Sequence, residues 1–456
     1  MKAVILAGGR GTRMRPLTYT RPKPLLPLVD EPVLNHLLRH LAETGFHDVL
    51  LTLGNAKQSI KDQILEHDKS GVEVSFVEEP DNLALGTAGS VKLAEEFLSE
   101  SFLVVQGDAL TNIDLKVLAK MHLDKKCDAT ILLCKVPDPW LYGIAVLNDD
   151  NIVQDFQEKP DPTSSGSDLA SIGIYFIEPT VLSLVPKGEK FDFAKDLFPL
   201  MLSRGMKIQG IVVQDYWIDI GSFEGYLNGT KWHLRRILSR KGQGSFISRN
   251  AATQKVSIKE PVWIEDGVKI GAKSEIGPYA VVKRGCTIGR DSIVRDSVLL
   301  ENCVLNETVR VSHSIVGELT VIEKGVEIDG AIIGPGCYVK EDSHISGGTR
   351  TSPNMVVLKD DHISRIFDPD LERAFYFHDP DGMYTGQMAR NPRDLIEVLP
   401  EVNANSLNLH RKRGDLIKWV TRSLSNERLS DRITEISTLD VEDFRREFTE
   451  ILSKAT

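Results

Sequence analysis

The sequence predicts an α/β chain in three parts. A Rossmann-like domain with a mostly parallel sheet comes first, then a left-handed parallel β-helix, then a small, mainly helical C-terminal domain. Three observations carry this reading. Over roughly the first 240 residues, strand-length apolar runs alternate with amphipathic helical stretches. From about Val262, single apolar residues recur every six positions. After about Lys359 that recurrence stops and helical patterning returns.

The first region, residues 1–240, opens on a strand candidate, Lys2–Ala7, whose continuous apolar run from Ala3 is ended by Gly8 and Gly9. Such a run suits a strand buried on both faces. Asp48–Leu53, Val72–Val77 and Phe102–Val105 read as further strands. Val33–Leu41 reads as a helix, its apolar positions at Val33, Leu34, Leu37, Leu38 and Leu41. Alternating β and α elements imply a parallel sheet covered on both sides, with ligands at the carboxyl ends of the strands.

In the second region, residues 245–358, the recurrence runs through Ile264, Ile270, Ile276, Val282, Ile288, Val294 and Leu300. It resumes at Val316, Ile322 and Ile328, and again at Val339 and Ile345, with expected loops near Asn306 and Gly334. A six-residue period fits no α-helix and marks a prism of stacked parallel coils. In the third region, residues 359–456, Ala374–His378 reads as a short strand. Asp394–Val398, Leu416–Val420 and Val441–Leu452 read as helices, and Asn391-Pro392 as a helix start.

Composition narrows the function. A net charge of −10 argues against a nucleic-acid surface or an anionic membrane as partner. The five cysteines, Cys127, Cys134, Cys286, Cys303 and Cys337, form no CxxC pair, and their odd number argues against a disulfide framework. The Ala3–Ala7 run is too short for a signal-peptide core or a membrane span, so the expected location is the cytoplasm. Arg413-Gly414-Asp415 would be an adhesion motif only on an exposed extracellular loop and is not read as one here.

The chemistry concentrates in Leu6-Ala7-Gly8-Gly9-Arg10-Gly11-Thr12-Arg13 and Arg21-Pro22-Lys23-Pro24. A glycine-rich turn after a strand lets backbone N–H groups close on a polyphosphate. Arg13 and Lys23 can add positive charge there. The pattern is neither Walker A nor GxGxxG, and glycines alone would mark only a tight turn.

These residues resemble the signature of the sugar-1-phosphate nucleotidyltransferases, which join a sugar-1-phosphate to a nucleoside monophosphate and release pyrophosphate. The resemblance covers the first two regions. It is strongest to the mannose-1-phosphate guanylyltransferase branch, on Leu85-Gly86-Thr87-Ala88-Gly89, Gln106-Gly107-Asp108, Glu158-Lys159-Pro160, Phe191-Asp192-Phe193 and Tyr216-Trp217-Ile218-Asp219-Ile220-Gly221. It implies a nucleotide site of Leu6, Ala7, Gly8, Gly9, Gly11, Thr12, Arg13, Lys23, Leu85, Gly86 and Thr87. It implies Asp108 and Asp219 as ligands of Mg²⁺, Lys159 on the sugar phosphate, and Glu158 on sugar hydroxyls. Tyr142, Gly143, Ser171 and Gly173 resemble sugar-pocket positions, although the family often carries Asn where this chain has Ser171. Pyrimidine-specific relatives carry Gln at the position of Leu85, and a Leu offers a base no paired hydrogen bonds, which favours GTP over a pyrimidine nucleotide. Arg13, Lys23, Asp108 and Lys159 are the expected catalytic residues, because in-line attack on the α-phosphorus needs positioning and charge neutralisation.

Alternatives stay open at this level. Glucose-1-phosphate with another nucleotide is one. A second acyl-transfer activity on the β-helix, through His313 or His344, is another. A non-catalytic regulatory homologue is a third, opposed by the presence of Arg13, Lys23, Asp108, Lys159 and Asp219. The β-helix is expected to mediate homo-oligomerisation. His378 and His410 read as ordinary histidines before an anion site.

Overall fold

The computed structural model describes residues 1–54, 57–67, 70–80, 83–161, 166–359, 371, 373–424 and 427–455. The chain divides into two compact units. Met1–Gly11 with Pro22–Gly229 form the first, and Thr12–Arg21 with Thr230–Thr456 form the second. The expected join of the second and third regions borders residues 360–370, which lie outside the described residues.

Among the described residues of the first unit, thirteen strands follow in order. They are β1 (Ala3–Leu6), β2 (Pro27–Leu28), β3 (Glu31–Pro32), β4 (Asp48–Leu53), β5 (Glu73–Glu78), β6 (Phe102–Gln106) and β7 (Ala109–Thr111). Then come β8 (Ala129–Lys135), β9 (Gly143–Leu147), β10 (Val153–Glu158), β11 (Leu169–Ile177), β12 (Ile208–Val212) and β13 (Trp217–Asp219). Nine of them make one sheet in the order β10-β9-β11-β6-β1-β4-β5, with β8 joining β11 to β12.

Every residue of β1 is buried, and its side chains alternate between two cores. Ala3 and Ile5 join Leu103 and Val105 on one face, beneath Leu34, Leu38 and Leu41. Val4 and Leu6 join Phe102 and Val104 on the other, beneath Val91, Phe193 and Phe198. A period of two with both sets apolar is what a doubly covered parallel strand requires. The chain runs from β1 outward to β4 and β5, then returns to β6 on the opposite side of β1. This reversal makes a switch point at the carboxyl ends of β1 and β6, where open α/β sheets bind ligands. Antiparallel pairings enter through β11, which lies against β6, β8 and β9.

In the second unit, three parallel sheets of six short strands each form the β-helix. Ile264 pairs with Val282, Ile270 lies in the strand beside that of Ile288, and Ile276 pairs with Val294. Three six-residue steps therefore bring the chain round one coil. Beyond Val294 the phase slips earlier than expected. Val282 pairs with Leu299, not Leu300, and Leu299 faces the core. That coil has one residue fewer, so the interval read as a loop near Asn306 is an ordinary corner, with Asn306 N–H on the Ile322 carbonyl at 2.8 Å. The corner at Gly334 likewise continues the coil, its N–H donating to Thr351 Oγ. His313 pairs with Asp296 and His344 with Glu327, on exposed or half-exposed coil faces.

The C-terminal part packs an antiparallel hairpin, Phe375–His378 with Tyr384–Ala389, against five helices. Phe377, Leu407, Leu416, Phe444 and Phe448 are among its core residues. Asn391 caps the helix Pro392–Val398 by accepting from Arg393 and Asp394 N–H, as its place before a proline predicts. Arg413-Gly414-Asp415 is a helix junction: Gly414 adopts φ 67° as the left-handed cap of Ala404–Arg413, and Asp415 starts the next helix.

His378 and His410 are absorbed into the structure. His410 Nε2 accepts from the His378 N–H at 2.8 Å, so its Nδ1–H donates to Asp415 at 3.0 Å. The His378 ring in turn donates through Nε2 to the Thr20 carbonyl at 2.6 Å. Burial, together with His410 and Arg413, pushes His378 down to about 4 from 6.5. Below its ordinary value the unfolded chain takes up a proton that the folded chain refuses. The stability tied to neutral His378 is therefore complete above about pH 6.5 and is lost as pH falls towards about 4, to the extent of roughly 3 kcal/mol. Denaturant melts near pH 7 and near pH 4.5 measure it. His378→Gln, a donor that does not titrate, should flatten that dependence by this amount. An unchanged slope would contradict the assignment.

Candidate active site

The turn after β1 is built by close approach. A Cβ on Gly8 would lie 2.9 Å from Glu79 Oε1, and one on Gly54 would lie 2.6 Å from the Gly8 carbonyl. Gly11 adopts φ 64°, which disfavours any side chain. A Cβ on Gly9, by contrast, would meet nothing within 4 Å, so this glycine leaves the backbone open to a ligand. Leu6 and Ala7 are buried at the strand end. Thr12 and Arg13 follow at once in sequence, with exposed side chains, and belong to the second unit.

β6 ends beside this turn. The Gly107 N–H donates to the Leu6 carbonyl at 3.0 Å, and a Cβ on Gly107 would stand 2.8 Å from that oxygen. Asp108 is thereby set at the switch point. β7 then pairs antiparallel with β13, with Ala109 opposite Asp219, and the Ile220 N–H reaches the Asp108 carbonyl at 3.3 Å. This register brings together two carboxylates far apart in sequence. Lys23, in a short turn between two prolines, ion-pairs with Asp108 and lies 3.5 Å from Asp219 Oδ1. The three side chains are only 10%, 20% and 23% exposed, so solvent screens this cluster less than a surface pair.

The segment after β5 supplies a wall. Glu79 is buried, and its carboxylate accepts from the Leu85 N–H at 3.3 Å and from Ser90 Oγ at 2.5 Å. Leu85 is wholly enclosed, so its side chain shapes this wall from behind. Gly86 adopts φ 71°, and a Cβ there would stand 2.8 Å from the Phe191 carbonyl. Thr87 is engaged by Asp192, whose carboxylate accepts from its N–H at 3.0 Å and its hydroxyl at 3.2 Å.

Gly143, Glu158, Lys159, Ser171 and Gly173 lie on β9, β10 and β11 or at their ends. Gly143 is the register partner of Glu158, and a Cβ on it would meet Glu158 Oε2 at 2.9 Å. Burial raises the Glu158 carboxyl, and Lys159 and Lys195 oppose that shift. Lys159 adopts φ 51° and donates its N–H to the Tyr142 carbonyl at 2.9 Å. Gly173, at φ 73°, would press a Cβ to 2.5 Å from Gln106 Cγ. Ser171 lies 3.3 Å from the Tyr175 hydroxyl, where β11 is irregular against β8.

One neighbouring residue, Glu79, was not anticipated, and a second, Trp217, stood in the Tyr216–Gly221 run without a role of its own. Glu79 follows the carboxyl end of β5, and its signal was the acidic pair Glu78-Glu79 at a strand end. Trp217 stands edge-on to Tyr142 at 6.3 Å, and its buried indole N–H has no hydrogen-bond partner among the described residues.

Residues 2–235 match the nucleotidyl transferase family, and residues 258–364 match the GMPPB C-terminal domain. The chain belongs to the sugar-1-phosphate nucleotidyltransferase family. It is 32% identical over 357 residues to a UTP–glucose-1-phosphate uridylyltransferase of Synechocystis, covering 72% of this chain and 90% of that protein. It is 30% identical over 352 residues to the mannose-1-phosphate guanylyltransferase catalytic subunit beta of Drosophila melanogaster, covering 76% and 92%. A crystal structure of HddC from Yersinia pseudotuberculosis complexed with GMP-PN shares 28% identity at a TM-score of 0.45, covering 51% of this chain and 99% of that one. The nucleotidyltransferase acts on a sugar-1-phosphate, and its family generally uses a divalent metal. Asp108 and Asp219 fit such an ion: two carboxylates converging on one cation, Lys23 Nζ, offer the hard oxygen donors it prefers.

Proposed function

We propose that this nucleotidyltransferase transfers GMP from GTP to mannose-1-phosphate, releasing pyrophosphate. The observation that carries the reaction is the convergence of Lys23, Asp108 and Asp219 at the switch point of the sheet. Asp108 and Asp219 hold Mg²⁺, which when bound supplies charge to the triphosphate. The backbone from Leu6 to Thr12 cradles the phosphates, with Arg13 and Lys23 neutralising the leaving group. Leu85, Gly86 and Thr87 shape the base pocket. Lys159 neutralises the sugar phosphate, Glu158 binds sugar hydroxyls, and Gly143, Ser171 and Gly173 leave room for the ring. The sugar-phosphate oxygen then attacks the α-phosphorus in line, and positioning with charge neutralisation accounts for catalysis.

The guanylyltransferase relatives and the match over residues 258–364 support GTP and mannose-1-phosphate. A second reading, UTP with glucose-1-phosphate, is favoured by the Synechocystis relative. Pyrophosphate release across nucleoside triphosphates and mannose-, glucose- and N-acetylglucosamine-1-phosphate separates them. We expect the highest kcat/KM with GTP and mannose-1-phosphate, and activity confined to pyrimidine nucleotides overturns the reading of Leu85.

We place the enzyme in the cytoplasm as a homo-oligomer assembled through the β-helix. Five free thiols support the first part, and none of the described helices is long and apolar enough to cross a membrane. Partly exposed Ile247, Val356 and Leu358 on the β-helix support the second.

A further inference from the structure

The ten residues that continue the glycine turn, Thr12–Arg21, group with the second unit. Met14 and Leu17 are buried there, and Arg15 is nearly so. Its backbone is gripped at both ends. The Arg350 guanidinium donates to the Arg13 carbonyl at 2.6 Å and to the Arg15 carbonyl at 3.1 Å. The His378 ring donates to the Thr20 carbonyl at 2.6 Å, and Tyr376 of the same strand stacks on Tyr19 at 6.3 Å between centroids.

At the second of these grips lie two carboxylates from successive coils of the β-helix. Thr20 Oγ donates to Glu318 at 3.0 Å, and Arg21 pairs with Glu301 at 3.3 Å. Glu318 is 2% exposed and Glu301 6%. Burial alone would raise both carboxyls. Arg21 and Lys283 hold Glu301 below the usual range, whereas Glu318 lies above it. Burying acidic side chains is costly unless they are paired or hydrogen-bonded. Here they bind this segment.

We propose that Arg350 and His378 are positioning residues for nucleotide binding, clamping Thr12–Arg21 so that Arg13 and the adjoining backbone are preorganised for the triphosphate. The inference rests on the nucleotidyltransferase reading of the glycine turn. It gives the β-helix and the C-terminal hairpin a part in the reaction that the family's core chemistry does not require. Arg13 follows the glycine turn directly, and Arg350 fixes the backbone that carries its side chain. A segment ordered before the ligand arrives has less conformational entropy left to lose on binding.

The test uses the full chain with Arg350→Ala, Arg350→Lys, His378→Ala and His378→Gln. Amide hydrogen exchange of residues 12–21 is read without ligand, and the KM values for GTP and mannose-1-phosphate are read by pyrophosphate release. The Ala variants should speed exchange in this segment and raise the GTP KM by about tenfold, while the sugar-phosphate KM stays within about twofold. Lys and Gln, which keep a donor, should recover part of both effects. Exchange unchanged in the Ala variants overturns the clamp. Both KM values rising together, in step with a lowered Tm, also overturns it, because that is what a merely structural role produces. If the wild type shows no turnover with any nucleotide and sugar phosphate, the transferase reading falls and the positioning role with it. The exchange result then shows separately whether the segment is held.

Discussion

Asp108→Ala should lower pyrophosphate release by at least about 10²–10³-fold while the protein stays folded. Asp108 reaches the switch point because Gly107 hugs Leu6 and because its own carbonyl receives the Ile220 N–H. Both contacts use backbone, so the substitution leaves the β7–β13 ladder standing. What it removes is one of two carboxylates converging on a single cation position, while Asp219 stays 3.5 Å from Lys23. A pyrophosphate-coupled assay beside a circular-dichroism melt checks this. Turnover near the wild-type rate in a folded variant would contradict the metal assignment.

Lys23→Ala should lower kcat by about 10²–10³-fold, equivalent to losing one transition-state contact worth about 2.7–4 kcal/mol, with the sugar-phosphate KM changed only a few-fold. The side chain is 10% exposed and held by a turn with proline on either side, so truncating it removes a positioned charge from beside Asp108 and Asp219. Lys23→Arg should recover little, because a planar fork does not fit a site that two carboxylates have set around a compact charge. Steady-state kinetics with each substrate varied in turn separates the two constants. A large rise in sugar-phosphate KM with kcat preserved would place Lys23 on the sugar side instead.

Much of this was readable in the residues because it depends on local pattern. The alternation in Ala3–Leu6 and the six-residue recurrence from Ile264 are periodicities that packing demands. The cradle glycines, Lys23, Asp108 and Asp219 stood in recognisable surroundings, but only the β7–β13 register shows why two distant aspartates meet. The less legible features depend on long-range partners. The coil loses a residue ahead of Leu299, and nothing local marks which of Leu299 or Leu300 turns inward. Glu79 carries no local sign of burial, and its place against Gly8 follows from sheet order. His378 and His410 carry no local sign that one of them would reach Thr20, more than three hundred residues earlier. Nor does Thr12–Arg21 announce that its carbonyls and side chains are matched to Arg350, His378, Glu301 and Glu318.

The most direct test of the central claim is a single incubation of the purified chain with GTP and mannose-1-phosphate, with and without a metal chelator, in which both products are quantified. Pyrophosphate and GDP-mannose should form in equal amounts when Mg²⁺ is present, and neither should form when it is chelated. Phosphate release without a nucleotide sugar, or turnover indifferent to the chelator, would contradict it.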